Sequence, residues 1–205
     1  MTHTSIPSIL LTHWRVWSLM GAAGLIFALL IAMLTPRVYS STARVLITQP
    51  NVAGLDPYTA TKSTERIAST LSELVHTTTF FDNATAQAKS FDVSFFPTDE
   101  HLRRKAWNKA IETAATPGTG IMTIKAYHPD RAQARVLVEA VARELAVEAP
   151  NFFGYSARVQ VIDAPLPSRW FARPAFFADA LFGLLVGLFA GVAWVLGSPK
   201  VSRRE

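Results

Sequence analysis

The stretch Asp179–Gly191, "DALFGLLVGLFAG", places glycines at 183, 187 and 191, four residues apart in an apolar helical segment. In water, each glycine in a helix interior costs about 1 kcal/mol relative to alanine. Inside lipid the helix is enforced because its amides must pair within the segment, and small residues four apart let a second helix approach closely. The 20 uncharged residues 180–199 match the length that a bilayer core requires. We therefore predict a transmembrane helix over 176–197.

A second apolar segment stands near the N-terminus. Between Arg15 and Arg37 lie 21 uncharged residues. A cleaved signal peptide would have a shorter apolar region, about 7 to 15 residues, that ends in a small-residue cleavage site. Neither feature is found here, so we predict another transmembrane helix, over 16–36. Tryptophans and a phenylalanine near the helix ends are typical of an aromatic belt; they are Trp14, Trp17, Trp170, Phe171 and Trp194.

The small residues of the two segments form stripes that are expected to pack together, within one chain or between neighbouring subunits. They are Gly24, Ala28 and Ala32 on the first helix and Gly183, Gly187 and Gly191 on the second. Leu188 lies beside the second stripe and is expected to face lipid. A helix pair with this spacing would bring the two backbones close.

Asp179 continues the glycine stripe and lies about one turn inside the outer membrane boundary. A carboxylate there is expensive unless it is neutral, hydrated or paired. Arg37, at the outer end of the first helix, is the hypothesised ion-pair partner, and Arg173 is the competing cation. The alternative is an unpaired acid that reaches the headgroup region.

The charges define the organisation and the orientation of the chain. Long translocated loops obey the positive-inside rule poorly, so the basic tail, with Lys200, Arg203 and Arg204, counts most. The domain between the helices is then expected outside the cytoplasm. The predicted order is a cytoplasmic N-terminus 1–15, a helix 16–36, an extracytoplasmic α/β domain 37–174, a helix 176–197 and a basic cytoplasmic tail 198–205.

Composition limits the partners and the chemistry. The chain has 205 residues, no cysteine and a net charge of +5. Without cysteine, neither disulfides nor thiolate metal sites are available. The basic residues are scattered singly apart from 103–105, which favours a solvated helix face, so nucleic acid is not an expected partner.

Hydrophobic periodicity predicts a small sheet packed with helices for the domain. Strands are expected at 38–48, 109–116, 121–127 and 157–164. Asp56 and Pro57 form a helix start with an N-cap acceptor and a proline at the first position. Further helices are expected at 78–89, after Thr98, and at 130–147. The helix after Thr98 should carry Leu102 and Trp107 inward; on the last helix the predicted buried stripe is Ala134, Leu137, Val138, Val141 and Leu145.

Three prolines follow the last predicted strand: Pro165, Pro167 and Pro174. Because proline fixes the backbone and lacks an amide donor, the segment 165–174 is predicted to be a stiff, extended connector to the second membrane helix.

The order of these parts resembles a known family. An apolar span is followed by "PRVYSSTARVLI" (36–47), "GTGIMTIKAYHPDRAQARVLVEAVARELA" (118–146), "VQVIDAPLPSRWFARP" (159–174) and a glycine-rich second span. The chain is similar over nearly its whole length to Wzz-type chain-length determinants, the polysaccharide co-polymerases. The most specific pieces are Pro129, Asp130 and Ala132, the strand Val161–Asp163, and the three prolines.

This resemblance implies an oligomer in the bacterial inner membrane whose outer α/β domain helps a polymerase or export machinery set the length of a capsule or exopolysaccharide. The chain has no room for the long helical arm of larger members, so it resembles the short subtype that accompanies a separate cytoplasmic tyrosine kinase. The tail "SPKVSRRE" is short for kinase activation, and no GxxxxGK[ST] phosphate loop occurs in the sequence.

An enzyme is the weaker alternative. The histidines of the domain, His76, His101 and His128, stand on different predicted elements without HExxH spacing, and no GxSxG motif occurs. Glu144 and Glu148 are one helical turn apart, but that spacing shows neither burial nor a raised pKa. We predict no catalytic, cofactor-binding or metal-ligating residue. The other alternative is a two-pass envelope sensor that binds a small ligand; the lack of a linked signalling domain in the sequence counts against it.

Overall fold

The computed structural model describes residues 13–49, 56–88, 90–153 and 157–197. They fall into two compact units, one formed by residues 38–172 and the other by the described parts of 1–37 and 173–205. The predicted basic tail 198–205 and most of the predicted N-terminal segment 1–15 lie outside the described residues.

Unit 38–172 contains a four-stranded antiparallel sheet. Its strands are β1 (Tyr39–Thr48), β2 (Ile111–Ala115), β3 (Ile121–His128) and β4 (Arg158–Pro167), in the spatial order β2-β3-β1-β4. The predicted mixed helix and sheet domain is therefore confirmed.

Helices connect and cover these strands. They are α2 (Pro57–Leu74), α3 (Thr78–Gln87), α4 (Glu100–Ala110) and α5 (Arg131–Phe153), with a short 3₁₀ turn at Val93–Phe95. The predicted helix start is confirmed, since the Asp56 carboxylate accepts hydrogen bonds from the Tyr58 and Thr59 amides. The Asp130 carboxylate likewise accepts from the Ala132 amide at 2.7 Å, at the start of α5. Such caps satisfy amides that have no partner within the helix.

Alternation along β1 and β3 gives the sheet two different faces. On the helix-side face, Val45, Ile47 and Ile124 are buried under the helices. On the opposite face, called the open face, Arg44 and Thr48 are exposed. The five predicted inward residues of α5 are all buried, whereas its Glu139 and Arg143 form an exposed ion pair at 3.0 Å.

Helix α4 corrects one expectation. Trp107 is 1% exposed, and its indole nitrogen donates to the carbonyl oxygen of Val75 at 2.7 Å. Leu102, expected inward, is 57% exposed. Five residues correspond to about 500° of helical rotation, so Leu102 and Trp107 point about 140° apart and cannot both face the core.

The predicted connector 165–174 is partly sheet. Pro165 and Pro167 belong to β4, in which Pro167 pairs with Ser41 of β1. Proline is tolerated because β4 is an edge strand, where missing amides leave the inner ladder intact. Beyond β4, the Ala172 amide donates to the Val38 carbonyl at 2.7 Å, so the two ends of this unit lie side by side.

The second unit is a pair of apolar helices, α1 (Trp14–Leu34) and α6 (Phe176–Gly197). Both are long and apolar enough to cross a membrane. The bounds of α6 coincide with the prediction of 176–197, and those of α1 are shifted by two residues from 16–36. Pro174 is buried in this unit, two residues before α6.

Candidate functional site

The two apolar helices meet backbone to backbone at glycines. A methyl group at Gly24 would meet the carbonyl oxygen of Gly183 and would lie 3.0 Å from the Cα of Gly187. A methyl group at Gly183 would meet the Ala28 Cβ and would lie 2.6 Å from the Gly24 carbonyl oxygen. Real Cβ atoms do not occupy such space, so these positions hold glycine because the neighbouring backbone fills the site of the side chain.

The contact continues towards the other end of the pair. At Gly191 a methyl group would lie 2.6 Å from the Cα of Trp17, and at Gly187 it would lie 2.9 Å from the Cα of Gly21. Residue numbers rise on one helix as they fall on the other, so α1 and α6 are antiparallel. Ala32, 3% exposed, lies further along α1, towards the start of α6.

Gly21 was missed by the sequence analysis. It is buried, and a methyl group there would lie 2.7 Å from the Leu188 Cδ2 atom. Leu188, expected to face lipid, therefore covers Gly21 instead. Strict spacing by four hid this contact, because residues three apart, such as Gly21 and Gly24, also share a helix face. We call Gly21, Gly24, Gly183, Gly187 and Gly191 the glycine seam.

Asp179 lies in the first turn of α6 and Arg37 lies three residues beyond the end of α1. Because the helices are antiparallel, both residues belong to the same end of the pair. Arg173 precedes α6 at this end as well. The ion pair between Arg37 and Asp179 stays a prediction.

A buried polar cluster links α3 to α5 in the other unit. Glu144 is 1% exposed, and the Gln87 amide donates to its Oε2 at 2.6 Å. The Asn83 amide donates to Oε1 of Glu148 at 3.3 Å. Burial raises the pKa of Glu144 and nearby Glu148 raises it further, while hydrogen bonds from Asn83 and Gln87 oppose the shift. Asn83 and Gln87 on α3, four residues apart, thus face Glu144 and Glu148 on α5, which are also four residues apart. The spacing of the two glutamates alone did not reveal this network.

His128 forms the second buried polar position, at the end of β3. The Asp130 amide donates to its Nδ1 at 3.0 Å, so the proton of the neutral ring is on Nε2. Among the described residues that Nε2 has no hydrogen-bond partner. The rings of Phe95 and Phe91 lie against the imidazole at centroid distances of 4.3 and 5.9 Å. Burial lowers the pKa of His128, and Asp130 and Asp92 oppose that shift.

The other two histidines of unit 38–172 do not join these clusters. His76 is half-buried, with its ring nitrogens 3.2 Å from Asn108 Oδ1 and 3.3 Å from Thr113 Oγ1, and His101 is exposed. Within the described residues, no group of three or more histidines, cysteines, aspartates or glutamates is arranged to hold a metal ion. Hydrogen bonds of the Glu144 cluster join α3 to α5, whereas the hydrogen bond of His128 is local, to Asp130.

No known protein family matches the sequence, and no curated protein matches it significantly.

Proposed function

We propose that the chain is a non-enzymatic, oligomeric membrane protein that regulates the length, polymerisation or export of a bacterial surface polysaccharide. The observation that carries the proposal is the arrangement of the chain. The first apolar helix leads into β1, and β4, which pairs with β1 in the sheet, leads to the second apolar helix. The sequence motifs that resemble those of polysaccharide co-polymerases lie on these same elements, which supports the proposal.

The apolar helices support the membrane part of the proposal. Their outward surface carries large hydrophobic side chains, among them Phe27, Phe182 and Phe189 at 66, 70 and 73% exposed. Such a surface suits lipid and is unfavourable in water. The basic residues Lys200, Arg203 and Arg204 favour a cytoplasmic tail, which supports the proposed position of the sheet domain outside the cytoplasm.

The domain supports a role in binding and positioning. Its Glu144 cluster links α3 to α5, and we assign the contacts with partners to the surfaces of the domain. In this proposal the partners are further copies of the chain and the polysaccharide polymerase or export machinery, with a separate tyrosine kinase as an additional candidate.

The orientation can be tested with single-cysteine variants because the native chain has no cysteine. Ser69→Cys lies on the exposed surface of α2. In cells of the source bacterium whose outer membrane has been permeabilised, it should react with a maleimide that does not cross the inner membrane. Ser202→Cys in the tail should react only after the inner membrane is permeabilised. The reverse pattern would contradict the orientation.

Function is tested by deleting the gene and separating the surface polysaccharide by gel electrophoresis. We expect the modal chain length or the exported amount to change, and the wild-type gene to restore it. An unchanged distribution and yield would contradict the proposal. Affinity purification adds an arm, since recovery of a polymerase supports the proposal, whereas a small bound metabolite without polymerase favours a sensor.

A further inference from the structure

The two edge strands of the sheet differ in length and in the side chains that they expose. In the part of the chain that the structure describes, β2 and β4 are the outermost strands. β4 is ten residues long and exposes large apolar side chains, Val161 at 44%, Ile162 at 48% and Leu166 at 75%. Natural edge strands are usually kept short, charged or proline-rich to prevent pairing with another chain. The prolines of β4 lie only at its end, and its pairing with β1 is irregular around Asp163, so residues 158–161 form the regular, proline-free part of this edge.

Strand direction determines what can be added to this edge. Each neighbouring pair of strands is antiparallel, so β2 runs opposite to β4. A second sheet placed with its β2 beside β4 therefore continues an antiparallel ladder. The β4 strand of the added copy then runs in the same direction as that of the first, and corresponding chain ends lie at the same end of the combined sheet.

The two edges also match face by face. Glu112 and Ala114 of β2 lie on the open face, as do Arg158 and Gln160 of β4, judged from their strand partners. An added β2 brings the acidic Glu112 to the same surface as the basic Arg158. On the helix-side face, the partly exposed Val161 would be covered by the helices that pack on the incoming β2.

We propose that copies of this chain join head to tail through these edges, with β4 of one copy paired antiparallel to β2 of the next. The need for all copies to enter one membrane rests on the proposed function; the matching of the edges does not. Antiparallel pairing of β4 with β4 would turn one copy upside down. Parallel pairing of β4 with β4 would place the helix-covered face of one sheet beside the open face of the other.

Cysteine cross-linking tests the contact directly, since the native chain contributes no thiol. Ala114→Cys and Gln160→Cys, carried on separately tagged chains expressed together, should give a mixed cross-linked dimer in native membranes on mild oxidation. Opposed residues of an antiparallel pair have Cβ atoms about 4.5–5.5 Å apart, close to the range that a disulfide bridges. Ala114→Cys with Arg158→Cys tests the register shifted by one residue pair.

The double variant, with Ala114→Cys and Gln160→Cys in one chain, distinguishes the symmetry. Head-to-tail pairing gives a ladder of trimers and larger species, whereas a two-fold contact stops at the dimer. Ser69→Cys with Gln160→Cys is the matched control and should not cross-link. Both positions are exposed, so the variants are expected to fold.

The proposal is overturned if Gln160→Cys alone links as well as the mixed pair, or if no β2–β4 pair links in membranes where the protein is oligomeric. A monomer at every concentration also overturns it. A ladder in cells whose polysaccharide is unaffected by gene deletion would contradict the proposed function and leave the edge contact standing. If gene deletion changes the polysaccharide but the double variant gives no ladder, the edge contact is contradicted and the proposed function stands.

Discussion

The two units of this chain are stabilised in opposite ways. In the helix pair, backbone packs on backbone at the glycine seam, and large apolar side chains such as Leu34 and Phe177, 86 and 85% exposed, point outward. In unit 38–172, large side chains such as Trp107 and Ile124 fill the core, and ion pairs such as Glu139–Arg143 lie on the outside. The comparison teaches that apolar composition alone does not define a core: in one unit it marks the inside and in the other the outer surface.

Removing a large side chain from the sheet domain should have the largest effect. Trp107→Ala deletes a ring that packs edge-on against Phe81 and Phe96 at 5.1 and 5.7 Å and loses the hydrogen bond to Val75. We expect the free energy of unfolding to decrease by about 3–5 kcal/mol. Chemical denaturation followed by circular dichroism measures this. The matched control is Trp170→Ala, at a side chain 78% exposed, with a cost below about 0.5 kcal/mol.

Adding a side chain should have the largest effect in the helix pair. Gly187→Leu would insert a side chain where the Met20 carbonyl and the Gly21 Cα already lie, which forces the helices apart. We expect a loss of about 1–3 kcal/mol, typical of overpacking. Thermal stability in mild detergent, followed by size-exclusion chromatography, reports it. Ala190→Leu makes a matched change on the exposed side of α6 and should leave stability unchanged. Equal losses in both variants would contradict the seam.

Glu144→Gln should stabilise the domain above the pH at which an ordinary glutamate titrates. Because the folded-state pKa of Glu144 is raised, its contribution to stability is fully present in acid and is lost as the pH rises through the folded-state pKa. The variant removes that loss, so it should be more stable than the wild type near neutral pH, and the gain should vanish in acid. Denaturant midpoints between pH 4 and 8 test this; Glu139→Gln, on the exposed side of α5, should show no such trend.

His128 should give the opposite pH dependence. Its folded-state pKa is lowered, so the unfolded chain binds a proton first as the pH falls below about 6.5, and the free energy of unfolding decreases. His128→Asn keeps an acceptor for the Asp130 amide and removes the titration. We expect a flatter stability profile below about pH 6.5, where the wild type loses stability as the pH falls. His101→Asn, at an exposed position, should keep the wild-type profile. A wild-type-like profile for His128→Asn would show that the imidazole is not the titrating group.

The charge pair at the end of the helix pair is expected to give the smallest effect. Asp179→Arg should weaken the helix pair by about 0.5 kcal/mol, as for a partly exposed ion pair, and Asp179→Arg with Arg37→Asp should recover part of the loss. The same detergent stability measurement applies. A double variant no better than the single one would exclude the pairing, and Arg173→Asp then becomes the exchange to make.

Sequence patterns predicted an element well where its hydrophobic residues follow a single helix or strand period and one side of the element faces the core. The buried stripe of α5 follows a 3.6-residue period, and Val45 and Ile47 of β1 follow a period of two. The predicted bounds 176–197 coincide with those of α6, a helix that is apolar throughout apart from Asp179.

Long-range contacts were beyond the sequence. Burial of Glu144 depends on Gln87, 57 residues earlier, and burial of His128 depends on the aromatic rings of a loop. The extension of β4 through Pro167 depends on pairing with β1, which local proline chemistry disfavours. Gly21 was predictable, since it stands three residues from Gly24, and a search at both helical spacings would have found it.

The hydrogen bond between Ala172 and Val38 brings the two ends of unit 38–172 together, as in a domain inserted into another chain. A domain whose ends are adjacent can be inserted into a host chain at a single point, because little loop-closure entropy is needed to accommodate it. The same property permits the converse operation: a peptide of a few residues joining Arg37 to Arg173 would span the gap left by excision, and the excised residues 38–172 could be circularised by an equally short link. Evolution can therefore exchange residues 38–172 of such a protein while the pair of apolar helices is kept.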